Sequence, residues 1–312
     1  MTINSHVTVF AGLPVVPSDS DVRPDDPAAV AWRVEIDDYD LSPKDFEAAM
    51  ETMLERAGEG GPVALVIGQW GGAYEAPPPI DLFVRLAPRM PRLRSFFLGD
   101  LTFEECEISW IQHRDIAPLL AAYPALERLV VRGTEGLEIG RAAAHPSLRD
   151  LEIQSGGLPA ALLRSVFALE LPALERLNLW LGVDSYGGDV VLEDLAPLLG
   201  AADEAATRWP RLTALGLRNS EIQDEIAAAV AQAPILPRLR VLDLSLGTFG
   251  DEGAESLLAG PLDHLRELDL HHHFMSPQVA QRLVDALPSV RVDVTDRQEA
   301  RGDWGRFVEV SE

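Results

Sequence analysis

The string L-x-x-L-x-L occurs twice in close succession, as Leu239, Leu242, Leu244 and as Leu265, Leu268, Leu270, with an acidic, helix-like GDEGAESLLAG between them. Alternation at period two followed by helical spacing reads as a strand, a turn and a helix. A unit that recurs at fixed spacing marks a repeat architecture, in which each copy buries its apolar edge only against its neighbours.

The same beat runs through most of the chain. PRLRSFFL starts at Pro91, PALERLVV at Pro124, PSLRDLEI at Pro146, PALERLNL at Pro172, PRLTALGL at Pro210, PRLRVLDL at Pro237, PLDHLREL at Pro261 and PSVRVDV at Pro288. Each leading proline stops the preceding helix and sets extended backbone before it, without removing a ladder donor inside the strand. Two earlier strands, from Val30 and from Val63, bring the expectation to ten parallel strands joined by right-handed crossovers. The leucines point inward and the helices close over the sheet.

Outside that beat the chain changes character. Residues 1–29 alternate weakly and then become rich in Asp and Pro, which predicts an edge strand and a loop serving as an N-terminal cap. Asp37, Asp38, Tyr39 and Asp40 form a turn-prone run, and a helix is expected from Ser42 as N-cap with Pro43 in its first turn, ending at Gly58. Asp115 and Asp194, each followed by I/L-A-P-L-L, are expected to cap two further helices. The repeat stops after Val294, and DRQEARGDWGRFVEVSE is expected to form a C-terminal cap, with a short strand that could pair with Val7 to Phe10. The expected division is a cap at 1–29, a solenoid at 30–295 and a cap at 296–312.

Composition narrows the function. The formal charge of −24 opposes sequence-independent binding to nucleic acid, whose phosphates the average surface would repel. A single cysteine, Cys106, allows no internal disulfide and fits a reducing cytoplasm. It stands among Glu104, Glu105 and Glu107, carboxylates that make its thiol harder to ionise, so it is expected to be a buried small side chain. The opening MTINSHVTVFAGLPVVP has neither a basic leader nor an apolar stretch long enough to span a bilayer.

The repeat resembles the leucine-rich repeats, and GDEGAESLL after LDLSLG resembles their ribonuclease-inhibitor-like, helix-bearing class. The resemblance covers about Pro62 to Val294 and implies an α/β right-handed solenoid, a horseshoe with its parallel sheet on the concave face and its helices on the convex face. One departure is clear. The consensus asparagine after the last leucine is replaced by Leu101, Thr134, Gly156, Gly182, Ser220, Gly247 and His273. The whole chain also resembles a bacterial leucine-rich-repeat family of unassigned function, in ECEISWIQ, LGLRNSEI, LDLSLGTFGDEGAESLLAG and LDLHHHF. Members of that family are often encoded near radical-SAM and ATP-grasp enzymes, which implies an accessory partner in a peptide-modification or natural-product pathway. The resemblance supplies no catalytic residues.

Two surfaces could carry function. Alternate strand residues line the concave face in columns, one of which reads Gly99, Arg132, Gln154, Trp180, Arg218, Ser245, His271. This face is expected to be mixed in charge and wet. The loops leaving the strands carry Tyr39, Trp70, Tyr74, Phe103, Trp110, Trp180, Tyr186 and Phe249. The repeat is stretched there as well, with 33 residues from Leu93 to Leu126 and 38 from Leu174 to Leu212, against about 26 elsewhere. Insertions in solenoids map to loops on one face, often the binding face, and Trp and Tyr are enriched where partners dock.

The preferred reading is a non-catalytic scaffold for a protein or peptide, with no nucleic acid, membrane, cofactor or metal involved. Trp70, Tyr74, Trp110, Trp180 and Tyr186 are its expected anchors, with Arg132, Arg176, Arg218 and His271 on the concave face. The alternative is a metal-dependent enzyme using Asp243, Asp269 and His271. Neighbouring residues on a strand alternate in direction, so His271, His272 and His273 cannot share a site, and His273 is expected to bond turn backbone.

Overall fold

Each proline-headed segment becomes a strand. The computed structural model describes residues 3–36, 43–140, 144–200, 204–302 and 305–312. The chain falls into two compact units, residues up to 154 with 168–171, and residues 155–167 with 172–311. The first holds β1 (Val9–Phe10), β2 (Leu13–Pro17), β3 (Ala31–Val34), β4 (Ala64–Ile67), β5 (Ser95–Leu98), β6 (Arg128–Arg132) and β7 (Asp150–Gln154). The second holds β8 (Arg176–Gly182), β9 (Ala214–Ser220), β10 (Val241–Asp243), β11 (Glu267–Asp269) and β12 (Arg291–Asp293). Within each unit the strands lie in chain order. All pair in parallel except β1 with β2. The ten repeat strands are therefore present, and β1 and β2 precede them. Among the described residues no helix is long and apolar enough to cross a membrane.

Register explains the leucines. In the second unit Leu177, Leu215, Leu242 and Leu268 stand opposite one another, each at most 1% exposed. In the first unit Leu65, Phe96, Leu129 and Leu151 do the same. Helices α1 (Pro43–Ala57), α2 (Ile80–Leu86) and α3 (Ala117–Ala122) are in the first unit. The second has α4 (Ala160–Phe167), α5 (Ala196–Leu199), α6 (Glu204–Arg208), α7 (Gln223–Val230), α8 (Asp251–Leu258) and α9 (Pro277–Ala286). They supply the other half of the core. Phe83 of α2 lies 5.3 Å from Phe96 and 6.2 Å from Phe46 of α1. Helix α1 ends as its sequence implies, at Gly58 with φ +74°, whose amide returns to Leu54. Its expected N-cap Ser42 and the run from Asp37 to Asp40 lie outside the described residues. Asp115 stands one residue before the N-cap Ile116, and its carboxylate accepts from the Ala117 amide at the start of α3 at 2.9 Å. Asp194 does not cap α5: its carboxylate turns back to the Val191 amide and to Arg164.

In place of the missing asparagines, other side chains satisfy the loop backbone. His273 contacts the Val294 carbonyl through Nε2 at 2.9 Å and accepts from the Met275 amide through Nδ1, the backbone role expected of it. His145 bridges Tyr123 O and Leu148 N, His113 meets Arg132 O, and Gln223 donates to Leu217 O. All three histidines are buried, and that burial lowers their pKa, for His113 to about 4.

Two measurements check this account. Leu242→Ala is expected to cost about 2–5 kcal/mol in chemical denaturation, since the side chain is enclosed and its neighbours are fixed in register. Acid should act through the histidines. Between about pH 6.5 and pH 4 an unfolded chain takes up a proton on residue 113 that the folded chain refuses, so stability falls as pH falls through that window. His113→Gln, which keeps a donor for Arg132 O, is expected to flatten the pH dependence of the denaturation midpoint there.

Candidate partner-binding surfaces

The concave face of the first unit is closed by the chain's own N-terminus. Val9–Phe10 and Leu13–Pro17 form a hairpin whose two turn residues, Ala11 and Gly12, both have positive φ, the geometry of a tight two-residue connection. Phe10 packs on Ala31, Ala64, Val66, Phe97 and Val130, with Val7, Leu13 and Val15 beside it. The residues that alternate with the inward ones include Ala64 and Val66 in β4 and Phe97 in β5, so this part of the face attracts an apolar cover instead of water. The expectation of a wet face is corrected here.

Under that cover runs a charged chain. Asp100 is fully buried and pairs with Arg33 and with Arg132, the latter at 3.1 Å. Arg132 also donates to Gln154 Oε1 and to Leu101 O, both at 2.7 Å, and its guanidinium lies over Phe97. The Val7 amide reaches Asp100 as well, and His6 meets Glu105 at 2.6 Å. Burial alone would raise the Glu105 pKa, but hydrogen bonds from His6 and Thr102 hold it at about 2. Arg132 is thus an interior group, 4% exposed, and does not steer ligands from the surface. Asp100→Asn leaves two buried guanidinium groups short of a counter-charge and is expected to lose about 3–5 kcal/mol in urea denaturation.

The strand-exit loops of the first unit behave differently. Tyr74 and Trp110 are 55% and 44% exposed, and their rings lie 5.7 Å apart at 36°. Both supporting loops are fixed. Gln69 Oε1 accepts from the amides of Gly72 and Ala73, Trp70 donates its indole N–H to Ala76 O, and the Gln112 amide bonds to Ala73 O. Trp70 itself is 3% exposed and packs beside His113, so it is an interior residue that holds its loop through Ala76 O. Phe103 is partly exposed and Phe249 fully buried; Tyr39 lies outside the described residues. Cys106 is buried, and that burial, with Glu107 and Glu105, pushes its pKa up to about 12, against any nucleophilic use.

In the second unit the concave face is polar and partly open. Arg218 lies over the Trp180 ring at 5.2 Å, donates to Ser245 Oγ at 2.9 Å and pairs with Asp243 at 3.2 Å. Asp269 holds His271 Nδ1 at 2.7 Å, and that hydrogen bond raises the His271 pKa. Asp243, Asp269 and Asp293 stand in register. Each also accepts from the amide two residues on, a repeated turn closure invisible to residue typing alone. Asp243 and Asp269 thus each have a cationic or imidazole neighbour already in place, which leaves the alternative metal site little unbalanced charge. Trp180 is buried beneath Arg218, while Arg176 is exposed near the start of β8.

The strand-exit side of this unit is laid over by residues 305–311. Asn219, Leu246, His272 and Asp296 occupy the same place in successive repeats and all have φ between +55° and +66°. The terminal segment reads them in reverse, Val310 bonding to the Asn219 amide group, Glu309 N to Leu246 O, and Phe307 O to His272. The strand expected to pair with Val7 to Phe10 instead takes these partners, and Val9–Phe10 pairs with Leu13–Pro14. Beside the segment lies a cavity of about 490 Å³ lined by Val183, Tyr186, Glu221, Arg301, Phe307 and Val308 among others. Gly182 shapes that loop: at φ +71°, a side chain there would collide with Gly156 O.

Residues 237–258 match the family model described as a leucine-rich repeat. Among solved structures, the chain is similar to a protein from Bacteroides fragilis, with 32% identity and a TM-score of 0.76 over 87% of this chain and 76% of that one. It is also similar to the leucine-rich repeat-containing protein LegL7 from Legionella pneumophila, at 15% identity and a TM-score of 0.49, over 94% of this chain and 92% of that one. A leucine-rich-repeat protein of Leptospira interrogans aligns at 12% identity and a TM-score of 0.30, over 85% of this chain and 65% of that one. No curated protein matches.

Proposed function

Since the chain is a leucine-rich-repeat protein and belongs to the same family as that Bacteroides fragilis protein, we propose that it is a non-catalytic scaffold that binds a protein or peptide through its strand-exit loops. Leucine-rich-repeat proteins generally serve as interaction scaffolds, because a repeat array presents a long, fixed surface. The observation that carries the reading is the Tyr74–Trp110 pair. Two large rings stand exposed on loops whose backbone is hydrogen-bonded in place. Apolar area held rigid in water costs little entropy to dock, which is the character of an interface hot spot.

Trp70 holds the loop that carries Tyr74 from inside, through its bond to Ala76 O. In the second unit Tyr186 borders a cavity, and Arg176, Arg218 and His271 offer charge along the concave face, with Trp180 as the ring under Arg218. The caps at 1–29 and 296–312, a cytoplasmic location and an accessory role in a bacterial peptide-modification or natural-product pathway belong to the same proposal. The pathway is supported by sequence resemblance alone.

Untagged affinity purification from the native cell, with mass spectrometry of the eluate, tests it. Wild-type protein is expected to retain one stoichiometric protein or peptide partner. Tyr74→Ala with Trp110→Ala should weaken that complex roughly 30-fold or more while leaving the thermal midpoint unchanged, because both side chains are exposed. Equal retention by the double variant removes the rim from consideration.

A further inference from the structure

The turn after β11 places His272 in left-handed backbone at φ +57°. Its ring is fully buried and stands edge-on to Phe274 and Phe307 at 5.8 and 5.6 Å. Nε2 lies 3.1 Å from the Phe307 carbonyl oxygen. A carbonyl only accepts, so Nε2 bears the hydrogen. In a neutral ring Nδ1 then presents a lone pair. It faces Glu309 Oε2 at 2.6 Å and Asp296 Oδ2 at 3.5 Å. With Nδ1 unprotonated, Nδ1 and Oε2 are both buried and neither has a hydrogen-bond partner. Among the described residues, the ion pairs of Asp296 and Glu309 are with His272 alone. Three electron-pair donors this close repel one another unless a positive charge lies between them, either a proton on Nδ1 or a metal cation.

We propose that His272, Asp296 and Glu309 bind one divalent transition-metal cation of the zinc type, which fastens the C-terminal segment to the last two repeats. The three ligand atoms lie within 4.8 Å of one another. Around a tetrahedral zinc, with bonds of about 2.0–2.2 Å, ligand atoms stand roughly 3.4 Å apart. The His272–Asp296 separation already has that value. Glu309 need retreat by a little less than about 1 Å, and it belongs to a segment held by side chains and single backbone bonds, not by a ladder. The Nε2 hydrogen bond to a backbone carbonyl is the outer support that metal-bound imidazoles commonly carry. An imidazole nitrogen in the set disfavours calcium and magnesium, which prefer oxygen throughout. Asp296 is half exposed, which leaves an entry path and room for water as the fourth ligand.

The consequence is mechanical. Glu309 lies between Val310, bound to Asn219, and Arg306, which pairs with Asp224 at 2.6 Å. An ion there ties the segment to Asp296 of the final repeat as well.

The test uses the untagged full-length chain, stripped with chelator and titrated with zinc. One equivalent should bind, the thermal midpoint should rise, and proteolysis near the C-terminus should slow. Glu309→Gln and Asp296→Asn should each weaken uptake at least tenfold. Cobalt in the same site should give the visible band of a low-coordinate nitrogen and oxygen environment. The first unit holds another histidine–carboxylate group, His6 with Glu35 and Glu105, so His6→Ala should leave the single equivalent in place. Failure of the wild type to bind one zinc, or uptake undiminished by both carboxylate substitutions, overturns the proposal.

Discussion

In-register stacking of leucine upon leucine is the interaction the structure depends on. Leu177, Leu215, Leu242 and Leu268 each rest on the same position of the next strand. Burying one such side chain contributes about 1.5–3 kcal/mol before its lost conformational entropy is counted. One repeat offers only a few of them, so no repeat is stable without neighbours. Period-two alternation then leaves the intervening residues of each strand on the other face, and their chemistry is unconstrained by the stacking. That freedom separates the two concave surfaces. In β4 and β5 Ala64, Val66 and Phe97 take an N-terminal hairpin as cover. In β10 and β11 they include Asp243 and Asp269, partly open to water.

A parallel array also has to satisfy backbone groups wherever a strand turns into a loop. The usual solution is one residue type repeated, and here the solution varies from repeat to repeat. Gln69 gathers three loop amides, Gln223 reaches Leu217 O, and histidines at 113, 145 and 273 meet carbonyls from buried positions. A buried histidine works there only while neutral. The loops that an asparagine ladder would render indifferent to acid are sensitive to it in this chain.

Much of the fold was legible in the sequence because it follows from short-range periodicity. The ten strands, the inward leucines, the end of α1 at Gly58 and the role of His273 all came from spacing and residue type. What spacing did not reveal depends on contacts between distant segments. Arg132 reads as a surface cation in a strand column, but Asp100, 32 residues earlier, and a cover drawn from residues 7–15 put it inside. Trp70 and Trp110 look alike in sequence, yet a carbonyl at Ala76 within reach of one indole N–H helps make the first a buried support and leaves the second exposed. The histidine triplet drew attention to His271 because it points to the open face. The buried member, His272, meets Glu309, 37 residues away in sequence.

Both ends of the chain use charge to secure apolar segments. At the N-terminus, Phe10 and its neighbours supply the burial, while the Val7 amide and His6 fix the segment's position on Asp100 and Glu105. At the C-terminus, Val308 and Val310 are buried, while Arg306 and Glu309 fix the segment against Asp224 and His272. Hydrophobic burial is proportional to area and indifferent to register; a strand of few residues can slide by two and lose little. A charged or polar contact of fixed geometry is not indifferent, because displacement breaks it. The short terminal segments therefore owe much of their attachment to valine and phenylalanine, and their single alignment to Asp100, Glu105, Asp224 and His272. In a chain of net charge −24, Arg306 supplies a positive charge beside Asp224, where carboxylates would otherwise repel.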